Sequence, residues 1–132
     1  MTYDHLIGTK GHSEIMVTEN NVAHALSSGA LSVFGTPFMI ALMERTSRES
    51  IADLLGEGQS TVGTAVNIVH VSASPIGMKV WADTEVIGTK KRRITFSVKA
   101  YDENGLIGEG THERCIVDND PFMKKCYDKL EK

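Results

Sequence analysis

The chain has 132 residues, with 14 Lys and Arg against 17 Asp and Glu, hence a formal charge of −3 with neutral histidines. A chain of this length buries roughly two-thirds of the surface its unfolded form exposes, so one domain over residues 1–132, with a core that needs no metal or disulfide, is expected. The acidic balance argues against nucleic acid as the main partner, no apolar run approaches the ~20 residues of a membrane span, and the polar opening MTYDHLIGTK is no secretory signal, so a cytoplasmic protein with no membrane partner is expected.

Along the chain, Ser13 to Val17 reads as a short strand with Ile15 and Val17 on one face and Glu14 and Met16 on the other. Asn20 to Gly35, rich in Ser, Ala and Gly, reads as a short helix and loop. Thr36 before Pro37 has the form of a helix N-cap followed by proline at the first helical position. A helix of about 19 residues, near 28 Å long, is predicted from there to the glycines Gly56 and Gly58. Phe38 to Met43 is apolar on every side, which predicts burial all round, whereas Arg45 to Asp53 is polar and should face solvent on one side.

From Ser60 the pattern changes to period two. Val62, Thr64, Val66, Ile68 and His70 share one face, and Gly63, Ala65, Asn67, Val69 and Val71 the other. Apolar residues on both faces predict a central strand. A second alternation runs through Met78, Val80, Ala82, Thr84 and Val86. A third places Ile94, Phe96, Val98 and Ala100 inward, and Asn104-Gly105 marks a hairpin before a last strand from Leu106 to Val117. Phe122, Cys126 and Leu130, four apart, read as a short amphipathic helix or a frayed end after Pro121. The order is that of an α+β fold in which one curved antiparallel sheet of about five strands wraps a long central helix. Hot-dog folds have this plan.

Three residues stand out chemically. Glu44 follows the apolar run directly; it is either an i, i+4 partner of Arg48 on the exposed side of the helix or a desolvated carboxylate usable as base or nucleophile. His70 ends an apolar strand, as a satisfied strand-end residue or as a functional one. Thr36 is either the helix cap or a hydroxyl at an anion-friendly helix start. Lys90-Lys91-Arg92-Arg93 reads as a solvated turn between strands or as a clamp for phosphates. Cys115 and Cys126 match no zinc or redox spacing, and Gly56-Glu57-Gly58 and Gly108-Glu109-Gly110 are not phosphate loops.

Together, FGTPFMIALME, VGTAVNIVHVSASPIG and GEGTHERCIV resemble, in order and separation, the fluoroacetyl-coenzyme A thioesterase-like family of hot-dog proteins, from about Phe34 to Val117. The resemblance implies hydrolysis of an acyl-coenzyme A without a metal or other cofactor, coenzyme A being part of the substrate. It also implies a homodimer sharing one long sheet with acyl sites near the interface, a tetramer being the alternative. Carried over by position, it implies catalytic roles for Thr36, Glu44 and His70 and substrate contacts for Gly63 and Arg114. Thr36 and Glu44 lie eight residues apart on one helix, about 12 Å along its axis, so a bend, a spanning substrate or a second subunit must join them.

The chain departs from the fluoroacetyl-specific pattern at Ala25 to Ala30, where that pattern has a phenylalanine-bearing lid, and at Gly35-Thr36-Pro37, where it has Ala-Thr-Gly. A short or medium acyl group is expected. The competing reading is a non-catalytic protein of the same fold that binds an acyl-coenzyme A or a small acid. A hydratase of that fold is disfavoured by the three segments.

Overall fold

The computed structural model describes residues 2–131. In chain order the elements are β1 (Lys10–Met16), α1 (Thr36–Ala52), β2 (Gln59–His70), β3 (Lys79–Lys90), β4 (Arg93–Asp102), β5 (Gly105–Asp118) and α2 (Asn119–Tyr127), with short 3₁₀ turns at Asp4–Leu6, Ala23–Leu26 and Asp128–Leu130. The five strands form one sheet in the order β1-β3-β4-β5-β2, every neighbouring pair antiparallel.

Period-two patterning creates the core. Val80, Ala82 and Val86 on β3, and Ile94, Phe96, Val98 and Ala100 on β4, are fully buried on the face that receives α1. Met39, Leu42, Met43 and Ile51 of α1 fill it from the other side. Thr46 and Ser47 are buried on the same helix stripe. Their hydroxyls donate to the carbonyls one turn back, Leu42 at 2.7 Å and Met43 at 2.8 Å, so no polar group is stranded there. The helix lies directly on β1 because Gly11 has no side chain: a Cβ there would sit 2.8 Å from the Thr46 carbonyl oxygen.

Two expectations need correction. Phe38 to Met43 is not buried all round, for Ala41 is exposed and Ile40 half-buried; α1 presses one stripe on the sheet and leaves the other uncovered within one chain. Nor is β2 central. It is an edge strand, paired only with β5, and Val66, Val69 and the following Val71 remain 40%, 56% and 58% exposed. Apolar residues on both faces call for cover, and a single chain does not supply it to β2.

β2 also contains a bulge between Gly63 and Ala65 that leaves Thr64 outside the ladder, its hydroxyl donating to Glu113 Oε2 at 2.6 Å. Strict alternation would put Gly63 and His70 on opposite faces. The extra residue shifts the phase, so Thr61 and Gly63 share the helix-facing side with Ile68 and His70.

The outer face of the sheet is mainly polar over β1, β3 and β4. Trp81 and Tyr101 stack across β3 and β4 with Lys79 above Trp81. His12 on β1 lies between two carboxylates, its Nδ1 2.5 Å from Asp83 Oδ1 and its Nε2 3.0 Å from Glu14 Oε2. Both ring nitrogens can donate at once only in the imidazolium form. The bond to Asp83 first, then that to Glu14, raises the pKa of His12 above 6.5. Stability from this cluster is therefore complete below the unfolded value of 6.5 and is lost as pH rises through the raised folded value. An NMR titration should place His12 above 6.5, and Asp83→Asn should lower it more than Glu14→Gln.

Candidate active site

At the start of α1, Gly35 is the cap residue in extended conformation, Thr36 the first helical residue and Pro37 the second. This corrects the capping role expected for Thr36. Both Phe38 N–H and Met39 N–H donate to the Gly35 carbonyl at 3.0 Å, and no side chain caps the helix. The Thr36 hydroxyl is left for another partner, and Oγ1 stands 2.7 Å from Nδ1 of His70, the last residue of β2.

Burial pushes the His70 pKa below 6.5, with a backbone group of Ser72 pulling partly the other way. Its Nε2 is buried and has no hydrogen-bond partner among the described residues. An orphaned polar atom of this kind costs free energy unless something else comes to meet it. Thr36 and His70 line a cavity of about 690 Å³ with mainly apolar walls that include Phe34, Ile40, Ala23 and Val71.

A second group assembles one helical turn after the cavity-lining Ile40. Glu44 projects over β2 where Gly63 leaves the backbone bare; a Cβ at Gly63 would stand 2.8 Å from Glu44 Oε2. The same carboxylate oxygen is 3.9 Å from Nη1 of Arg114, paired with Gly63 across β2 and β5. Arg114 is nearly enclosed, with 7% of its side chain exposed, against 40% for Glu44. Its Nε donates to Thr61 Oγ1 at 2.7 Å and its Nη2 to the Thr61 carbonyl at 2.9 Å. Desolvation lowers the Arg114 pKa, Glu44 acting in the opposite sense and Arg48 in the same sense. The guanidinium stays charged.

The five candidate residues thus divide into two groups, Thr36 with His70 and Glu44 with Gly63 and Arg114. No hydrogen bond or ion pair among the described residues joins one to the other. Gly63 and His70 sit about 20 Å apart along β2, so one chain holds the two groups apart along its edge strand. The Glu44–Arg48 pair considered from spacing does not form; Arg48 Nη2 lies 3.7 Å from Glu49.

Sequence reasoning missed Thr61 and His112. His112 is buried, its ring stacked on Phe96, with Nδ1 2.9 Å from the Ala65 carbonyl and Nε2 3.2 Å from Arg114 Nη1. The signal was available: His112, Arg114 and Ile116 alternate along β5 on one face, and two charge-capable residues on a core-facing row need a reason. Lys90 to Arg93 is the β3–β4 turn, as its plainer reading had it. Arg92 pairs with Asp118 at 3.2 Å and Arg93 with Glu113 at 3.9 Å, and Arg93 lies opposite Cys115 on the face away from Ile94 and Arg114. Cys115 and Cys126 are free thiols. Among the described residues no three His, Cys, Asp or Glu side chains converge on a metal-sized site, and no helix is long and apolar enough to cross a membrane.

The FlK fluoroacetyl-CoA-specific thioesterase family matches residues 17–120. The chain belongs to this family. Within the FlK family, the fluoroacetyl-CoA thioesterase of Streptantibioticus cattleyicolor is 36% identical over 97 residues, 74% of this chain and 70% of that protein. A solved structure of FlK superposes with a TM-score of 0.87 at 29% identity, covering 93% of this chain and 96% of the other. FlK variants have been solved in complex with fluoroacetate and CoA and with acetyl-CoA. A Thermus thermophilus member of the thioesterase superfamily gives 0.86 at 28% identity over 95% and 92% of the two chains. A hot-dog-like protein of Thermanaerovibrio acidaminovorans gives 0.90 at 23% identity over 98% and 97%, which supports the fold. The α+β hot-dog fold and membership of an acyl-CoA thioesterase family therefore stand as the sequence reading had them.

The depressed pKa of His70 has a defined sign. The cost of keeping it neutral is absent above the unfolded value of 6.5 and grows as pH falls below it, levelling off under the folded value. NMR of the FlK-family chain should show the His70 resonance, assigned by its loss in His70→Gln, titrating below 6.5.

Proposed function

We propose that this FlK-family protein hydrolyses a short or medium acyl-CoA without a metal, in a homodimer whose site takes Thr36 and His70 from one subunit and Glu44, Gly63 and Arg114 from the other. What carries the proposal is the placement of the two groups apart along an uncovered edge strand. An edge strand with unpaired backbone groups and exposed valines is a template for another strand. Two-fold pairing of β2 with its copy is self-complementary, and antiparallel registry centred between Val66 and Asn67 sets Gly63 of one chain beside His70 of its partner. Groups about 12 Å apart along α1 and about 20 Å apart along β2 within a chain then become neighbours across the interface. The same contact covers Val66, Val69 and Val71 and withdraws Glu44 from solvent.

The chemistry follows from the donors available. With the Thr36 hydroxyl donating to Nδ1, a neutral His70 carries its proton on Nε2, the atom lacking a partner. That N–H meets the thioester carbonyl oxygen and stabilises the charge that develops there. Glu44, held beside Arg114 and over the bare Gly63 backbone, takes a proton from water as the water oxygen bonds to the carbonyl carbon. The tetrahedral intermediate collapses with cleavage of the C–S bond, the electron pair leaving on sulfur, and Glu44 returns the proton to the thiolate. The acid and CoA are released. The apolar cavity beside His70 suits an acyl chain, and its wall at Ser28 falls in the segment where this sequence departs from the fluoroacetyl-specific pattern.

Thiol release should be measured across acyl-CoA esters from C2 to C12, with halogenated and aryl acyl groups included. Hydrolysis of short or medium esters should fall at least about a hundred-fold in Glu44→Gln. Saturable binding with no turnover of any ester would overturn the enzymatic reading in favour of a binding protein.

The shared site has a test of its own. His70→Ala and Glu44→Ala chains, each inactive alone, should regain activity when mixed and reassembled, because a mixed dimer rebuilds one intact site. Random assembly sets the recovery at about one quarter of wild type. Persistent inactivity of a mixture shown to contain mixed dimers would place the whole site within one chain.

A further inference from the structure

We infer that His112 is a positioning residue which holds Arg114 through the lone pair of Nε2 and so fixes the place of the Glu44 carboxylate. The inference rests on the proposed role of the Glu44–Arg114 pair. The geometry leaves one protonation pattern for the ring. The Ala65 carbonyl can only accept, so Nδ1, at 2.9 Å, carries the hydrogen. Arg114 Nη1 can only donate, so Nε2, at 3.2 Å, is bare. His112 is therefore neutral, with a defined tautomer, and every polar atom of its ring is used. It bridges the Ala65 carbonyl, just past the bulge of β2, to the guanidinium anchored on β5.

Arg114 is in turn tied at all three nitrogens. Nε and Nη2 go to Thr61, and Nη1 stands between His112 Nε2 at 3.2 Å and Glu44 Oε2 at 3.9 Å. The two Thr61 contacts hold one edge of the guanidinium, and His112 supplies the acceptor on the Nη1 side. Without it, Nη1 has only the longer contact to a carboxylate that is 40% exposed and free to take other rotamers. Phe96 stacks on the imidazole and keeps its plane.

The lock has a pH limit. The charged groups facing His112 are Arg114 from its own strand and Glu44 from α1, with Arg48 further along the helix beside Arg114; the β2 and β4 groups against it, Ala65 and Phe96, do not titrate. Burial first, then Arg114, keeps the imidazole neutral below its ordinary range, against the backbone of Ala65 and the charge of Glu44. A proton on Nε2 would face the Nη1 N–H groups with no acceptor between them and break the contact.

Three measurements test this. In the wild type, ¹⁵N NMR should show His112 as the neutral Nδ1–H tautomer down to below pH 6.5. His112→Phe keeps the stacking and removes both polar atoms; it should lower kcat roughly ten- to hundredfold with KM changed less than about threefold, and shift the Arg114 Nε–H resonance. His112→Gln, which restores an acceptor toward Arg114, should recover most of that loss and return the resonance. The inference is overturned by an imidazolium or the Nε2–H tautomer at neutral pH, by a folded His112→Phe protein with wild-type kcat and an unmoved Arg114 signal, or by equal defects in both variants. If the wild type hydrolyses no ester, the functional reading fails while the tautomer and the Arg114 resonance still decide the role of His112.

Discussion

An edge strand with apolar side chains on both faces is an unfinished surface, and most of what this molecule can do follows from where β2 ends the sheet. One side of β2 is paired with β5, while the other presents backbone donors and acceptors beside Val66 and Val69. Along the same strand lie Gly63 and His70, each carrying one half of the candidate chemistry. The strand's length keeps those halves apart in a single chain, and its open edge allows a two-fold partner to bring them together. Stability and catalysis would then draw on the same contact.

The second group shows how a charged pair is held in an apolar wall. A buried guanidinium loses the hydration that stabilises it, and the loss amounts to several kcal/mol before any compensation. Thr61 compensates with its hydroxyl and its carbonyl, and His112 with a ring nitrogen, so the acceptors are neutral dipoles that do not compete for the charge. The charge is left to act on Glu44. A fixed cation beside the carboxylate and bare backbone beneath it favour one of its placements over the others, which is the kind of prior ordering that lowers the cost of reaching a transition state.

Much of this was legible in the sequence, and the limits were specific. The inward rows Val80 to Val86 and Ile94 to Ala100 appeared at the right parity because alternation in a half-covered sheet is a direct imprint of burial. Helix α1 begins at Thr36, one residue before the position that Pro37 marked. The errors have physical causes. Apolar residues on both faces say that a strand wants cover, without saying whether the cover comes from the same chain, so β2 read as central. Thr36 carried a residue type suited to capping, but Gly35 does that work and frees the hydroxyl for a residue 34 positions away. His112 passed unnoticed because its neighbours in space, Ala65, Phe96 and Arg114, come from three strands. The roles given to Thr36, Glu44, His70, Gly63 and Arg114 came from resemblance; the fold adds who stands beside whom.

The bulge at Thr64 has a consequence for how such a site tolerates change. Which face a strand residue occupies is a matter of counting, and the count along β2 is offset by one between Gly63 and Ala65. Replacing Thr64 alters a side chain but leaves the count intact. Removing one residue from the bulge restores the simple alternation, and with Ile68 and His70 held on the helix side it turns Thr61 and Gly63 outward, stripping Arg114 of its anchor without touching any catalytic residue. The assembly is thus buffered against substitution and exposed to deletion, so chain length in this short stretch is itself part of the information that specifies the site.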